Sequence, residues 1–186
     1  MYNIHIYLNI RRVVVLLFAL ANCFPLLIQQ NVQASDFFNR SWDEFKVGFN
    51  DSSGNVWIGN DLLHELTKDN RYKLRFDLQQ SATEQWFWAE YSRFIVNSEA
   101  NGYRLNIAGY TGNAGKDAMA YSNGRKFTTY DVDNDYSDGN CAAHHGGGFW
   151  YTECTWCGVN GKIHFVWFGI PGSRYLKFSR MWLACH

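Results

Sequence analysis

The chain has 186 residues, enough for one domain or at most two small ones. Aromatic residues make up 18% of it, with 16 Gly and only 2 Pro, which excludes a disordered or collagen-like chain and points to turns and short strands. Formal net charge is zero and the Lys and Arg residues are scattered, which argues against nucleic acid as a partner.

The N-terminus reads as a secretion leader. Arg11-Arg12 precede an apolar run from Val13 to Ile28, and a short polar stretch ends in Val32-Gln33-Ala34. The run is interrupted by Asn22 and Pro25 and is shorter than a spanning helix of about 20 apolar residues, so a cleaved leader is preferred to an anchor. Cleavage after Ala34 makes residues 1–34 a signal peptide and residues 35–186 the domain, secreted, extracellular and without a membrane span. Cys23 would leave with the leader. Cys141, Cys154, Cys157 and Cys185 remain, which in an oxidising compartment predicts two disulfides with three pairings open. Asn39-Arg40-Ser41 and Asn50-Asp51-Ser52 are glycosylation acceptors, at Asn39 and Asn50, for a glycoprotein.

Ser41 to Lys46 carries a capping residue and first-turn acids, which predicts a short helix. Val56-Trp57-Ile58 is strand-like. A helix starts near Asn60, its expected N-cap, and runs through Leu66. Tyr72 to Leu78 alternates apolar and polar residues, as a half-buried strand does. Trp86 to Val96 and Tyr103 to Ile107 repeat that period around a turn at Asn101-Gly102, so an antiparallel meander is expected. From Gly109 to Gly148 the chain is rich in Gly, Asn, Asp and Ser and needs support other than a hydrophobic core.

That support is legible between Thr129 and Cys154. Asp131, Asp133 and Asp135 alternate along a turn, and alternating hard oxygen donors with carbonyls and water suit calcium. An EF-hand is excluded, because Tyr136 and Ala142 stand where it needs Gly and Glu. The plainer reading is a solvated acidic turn held by Asx hydrogen bonds. His144, His145, Cys154 and Cys157 have a spacing that permits zinc, and Cys154-x-x-Cys157 permits a redox pair, although secretion argues against both. No histidine stands at a spacing that implies a base and nucleophile, and no Gly-x-Ser-x-Gly string occurs, so the chain reads as non-catalytic.

Several strings in order resemble one family. They are Ser35 to Trp42 with Gly48-Phe49, Val56 to Asp61 with His64 and Leu66-Thr67, and Ala108 to Gly115. Phe127-Thr128-Thr129, Asp131 to Asp135, Asn140-Cys141-Ala142, Trp150-Tyr151 and Val159-Asn160-Gly161 follow. The chain from 35 to 186 resembles the fibrinogen-related domain, the C-terminal module of fibrinogen chains, ficolins, tachylectins, tenascins and angiopoietins. The resemblance implies an α+β fold: a twisted, mainly antiparallel sheet with short flanking helices and a loop-rich calcium subdomain. It implies calcium on the side chains of Asp133 and Asp135 and the carbonyls of Ser137 and Gly139. It implies a Cys141–Cys154 disulfide, which leaves Cys157 and Cys185 for each other. It implies a ligand pocket at His145, Glu153, Cys154, Thr155 and Trp156, with a cis peptide at Glu153–Cys154 aiming an amide at the ligand.

Two departures stand out. The family's N-terminal subdomain, with its core strand, is read as missing, and the stretch after Gly161 is short. His145 and Thr155 also replace residues that acetyl-binding relatives use. The implied function is a secreted lectin-like module binding extracellular glycans or acetylated ligands with calcium, in innate immunity. The alternatives are an adhesion or signalling ligand for a cell-surface protein, of the angiopoietin or tenascin type, and a degenerate fragment without binding activity.

Overall fold

The computed structural model describes residues 25–186. Most of the expected leader lies outside these residues. Seven strands form one sheet in the order β2-β3-β1-β7-β4-β5-β6. They are β1 (Leu26–Asn31), β2 (Phe49–Asn50), β3 (Val56–Trp57), β4 (Tyr72–Gln80), β5 (Trp86–Val96), β6 (Leu105–Gly112) and β7 (Leu176–Cys185), and all neighbours pair antiparallel. The helices are α1 (Trp42–Val47), α2 (Asn60–Thr67) and α3 (Cys141–His145). The sheet with few short helices is the expected fold class.

The alternation in Tyr72 to Leu78 becomes β4, with Tyr72, Leu74, Phe76 and Leu78 all buried. β4, β5 and β6 form the expected meander. β6 begins later than expected and runs on to Gly112, while Tyr103 sits before it in the left-handed region at φ 47°. Ser41 caps α1 through a full capping box with Glu44. The cap of α2 is Gly59, not Asn60. Asn60 is the first helical residue, and its buried Oδ1 accepts from Trp57 Nε1 at 3.1 Å, so it ties β3 to the helix.

β1 lies upstream of the expected domain start at Ser35. Leu26–Asn31 lies between β3 and β7 inside the sheet, and Ile28, Gln29 and Asn31 are buried. A chain beginning at Ser35 would lack this strand and expose an edge of β7. The strand's residues fall within the stretch expected to be the leader.

The loop-rich half packs on the sheet through rings. Phe127 and Trp150 meet edge to face at 5.2 Å, and Phe45 and Trp57 at 5.5 Å. Trp150 Nε1 donates to the carbonyl of Tyr103 at 2.8 Å. Gly148 lies beside this cluster, and a Cβ there would stand 2.6 Å from the Phe45 ring. The glycine run thus lets the aromatic core close. His64 is structural, with Nδ1 2.9 Å from the Val96 carbonyl.

Candidate functional site

The acidic turn divides its labour. Asp131 turns toward α1: its carboxylate accepts from the backbone N–H of Trp42 at 2.9 Å and from Thr129 Oγ1 at 2.8 Å, joining the turn to the start of α1. Asp133 Oδ1 accepts from Asp135 N at 3.2 Å. Asp135 accepts from Ser137 N and from Cys141 N, each at 2.9 Å. These are the Asx bonds of the plainer reading, and they hold the loop in a defined shape.

The donor set fits a hard cation. Neither Asp133 nor Asp135 has an ion-pair partner among the described residues. Burial, reinforced by the neighbouring charge of Asp133, pushes the Asp135 carboxyl above its ordinary range despite the two amides it accepts. No hydrogen bond from another described residue engages the carbonyls of Ser137 and Gly139. Two carboxylates without a counterion and two unused carbonyls on one short turn are oxygen donors of the kind calcium takes.

Cys141 and Cys154 form a disulfide, as the resemblance implied. The pairing of Cys157 with Cys185 is overturned: Cys157 is a free, buried thiol, while Cys185 is disulfide-bonded elsewhere. Burial raises the Cys157 thiol far above its usual range, so it stays protonated. With the Cys154 sulfur consumed and Cys157 enclosed, neither the zinc set with His144 and His145 nor a redox pair is assembled. The Glu153–Cys154 bond is not cis either, since every described peptide is trans. The turn is made instead by Cys154 in the left-handed region at φ 67°, with Thr152 N donating to the Cys154 carbonyl at 2.9 Å.

The residues expected in the pocket go to different places. His145 is buried, with its ring stacked on Tyr151 at 5.7 Å. Glu153 is exposed. Thr155 Oγ1 bonds both the N–H and the carbonyl of Cys157, at 3.0 Å each, and so shapes the loop. Trp156 becomes an exposed aromatic surface. It is 48% exposed, stacks on Tyr121 at 5.5 Å with 15° between planes, and lies near-parallel to Phe168 at 6.5 Å. Phe168 N donates to the Trp156 carbonyl at 3.0 Å, which fixes the two rungs. The Arg174 guanidinium covers Phe168 at 4.6 Å and Tyr175 at 5.3 Å. Sequence reasoning named Trp156 but missed Tyr121, Phe168, Arg174 and Tyr175, because stacking across the chain leaves no local spacing to read.

The family model described as "Fibrinogen beta and gamma chains, C-terminal globular domain" matches residues 20–171. Protein scabrous of Drosophila melanogaster is 40% identical over 158 residues, covering 83% of this chain and 20% of its own. This chain thus spans about a fifth of that relative's length. The fibrinogen-like globe domain of human ANGPTL2 superposes with a TM-score of 0.79 at 31% identity, over 87% of this chain and 80% of that one. Lamprey fibrin D-dimer, complexed with the peptide ligand Gly-His-Arg-Pro-amide, superposes with a TM-score of 0.75 at 28% identity, over 86% and 60%. With sheet, disulfide, acidic turn and sequence in agreement, the chain belongs to the fibrinogen C-terminal domain family.

Proposed function

We propose that this chain is an extracellular, non-catalytic recognition domain that binds a protein or peptide through the aromatic ladder at Trp156, on a frame shaped by calcium at Asp133 and Asp135. The observation that carries the reading is the stack of half-buried Tyr121 with exposed Trp156 and Phe168, closed by Arg174. Exposed aromatic and Arg side chains are the residue types that dominate protein interfaces. They are held here by backbone bonds and mutual stacking, so little entropy is lost on binding.

Calcium would act structurally. Asp133 and Asp135 with the carbonyls of Ser137 and Gly139 would hold it, and the charge it supplies would offset the crowded carboxylates. The Cys154 turn then leads directly into Trp156. The lamprey fibrin, which carries a peptide ligand, supports a peptide-type partner. An extracellular site of action is supported by the disulfides of Cys141 and Cys185. Asn39 and Asn50 are exposed and accessible for glycosylation. A secretion leader in this reading would end before β1, since β1 is part of the fold.

A lectin-like reading remains the second one, carried by Trp156 as a flat ring able to stack on a sugar. The two are separated by probing the untagged secreted chain on a glycan array and on an array of extracellular protein domains, with and without a calcium chelator. Binding to protein spots and not to sugars supports the first reading. Chelator-sensitive binding to sugars alone supports the second.

A further inference from the structure

His144, His145 and His164 offer imidazole nitrogens that all lie within 4.8 Å of one another. The geometry points to a divalent transition-metal site of zinc type on these three side chains, separate in residues and chemistry from the acidic turn. The cluster is built by backbone. His144 and His145 close α3, which ends on Gly146 at φ 73°. The His145 carbonyl then accepts from Lys162 N at 2.9 Å and from Ile163 N at 3.3 Å. Those two bonds clamp the segment after Gly161 onto the end of α3 and bring His164 to the same spot, 19 positions away.

Nδ1 of His145 and Nδ1 of His164 face each other at 2.9 Å. Two neutral imidazoles in this pose share a single proton. His145 lies 7% exposed, and its other nitrogen, Nε2, is enclosed without a hydrogen-bond partner. When a cation takes both Nδ1 lone pairs, the ring that carried the shared proton on Nδ1 carries it on Nε2 instead, so both imidazoles bind as neutral Nε2–H tautomers. Ligands about 2.0–2.1 Å from a tetrahedral ion stand about 3.3 Å apart, so the pair need only open by a few tenths of an ångström. Burial, with His164 and His144 adding to it, pushes the His145 pKa down to about 4, which keeps the ring in the neutral form a metal needs. The Tyr151 ring backs His145, and the Tyr151 hydroxyl is anchored on the Gly147 carbonyl at 2.7 Å, so His145 is preorganised. His164 is half-buried and His144 exposed, which leaves a solvent side where His144 closes as third ligand. The nearest cationic side chain in sequence, Lys162, is drawn away to Asp36 at 2.7 Å.

Three neutral nitrogens and no carboxylate select a borderline ion such as Zn²⁺ over Ca²⁺ or Mg²⁺. The fourth position of a tetrahedral ion stays open to water. The test uses untagged, chelator-stripped protein saturated with calcium to block the acidic turn, titrated with ZnCl₂ by calorimetry. Wild type, His144→Ala, His164→Ala and Asp133→Ala are compared, and their melts are recorded without zinc. The expected result is one zinc per chain in wild type and Asp133→Ala, weakened at least tenfold in both histidine variants. His144→Ala, at an exposed position, keeps its zinc-free melt, so lost binding there is not lost folding. The inference is overturned if wild type takes up no zinc, if both histidine variants bind as wild type does, or if only Asp133→Ala loses the ion.

Discussion

Gln29 and Asn160 lie 131 positions apart and share a buried hydrogen bond, Gln29 Nε2 to Asn160 Oδ1, at 3.0 Å. The same amide reaches the Val159 carbonyl at 3.2 Å and Ser179 Oγ at 3.3 Å, while Asn31 Nδ2 donates to the Val159 carbonyl at 3.0 Å. Asn160 passes the link on, its Nδ2 donating to the Gly148 carbonyl at 3.0 Å. The network fastens β1 to the loop-rich half that carries the candidate site.

Replacing Gln29 with Leu removes the donor and leaves the Asn160 oxygen buried and unpaired. The expected cost is about 2–3 kcal/mol, read as a lower denaturant midpoint with an unchanged slope. By the same logic a chain beginning at Ser35 is expected to show no cooperative melt. If the chain is processed at its N-terminus, the mature protein's N-terminus, determined by sequencing or intact mass, is expected to lie before Leu26.

How far the sequence could be read follows from where its signals lie. The meander of β4 to β6 was legible because its alternation is local and strong in Tyr72 to Leu78. The disulfide and the acidic turn were legible through the ordered strings of the resemblance. β1 was hidden because Leu26, Leu27 and Ile28 extend an apolar run that also fits a leader, and only long-range pairing with β7 distinguishes the two. The aromatic ladder and the three histidines were hidden for a related reason. Tyr121, Trp156 and Phe168 meet only after the chain has folded, and His164 reaches His145 through backbone bonds that no spacing encodes.

Calcium is expected to raise the stability of the wild-type chain by mass action, by about 2.7 kcal/mol at a hundred times the dissociation constant. Asp133→Ala should lose most of this gain while keeping a cooperative melt, since Asp133 is exposed. Thermal melts across a calcium series, run for both proteins, check it. Identical midpoints for the two at every calcium level would remove the metal from the acidic turn.

Cys157 is expected to be chemically silent in the native state. Its raised pKa means that the thiol remains protonated at neutral and mildly alkaline pH, and enclosure keeps reagents out. Mass spectrometry after alkylation under native conditions should find Cys157 unmodified, and denaturant should expose it. Modification at the rate of a free cysteine without denaturant would contradict the buried position.

A paired screen checks whether the ladder at Trp156 is the recognition surface for a protein partner. Wild type and Trp156→Ala, each displayed as a multimer in calcium, are applied to the same array of extracellular protein domains, and their melts are recorded alongside. Truncating a central aromatic anchor costs about 2 kcal/mol or more, roughly a 30-fold loss of affinity. Wild type is expected to bind at least one protein, Trp156→Ala to show that loss, and the two melts to match, because Trp156 stands on the surface. Protein binding that is indifferent to Trp156→Ala, or binding to sugars alone, would contradict it.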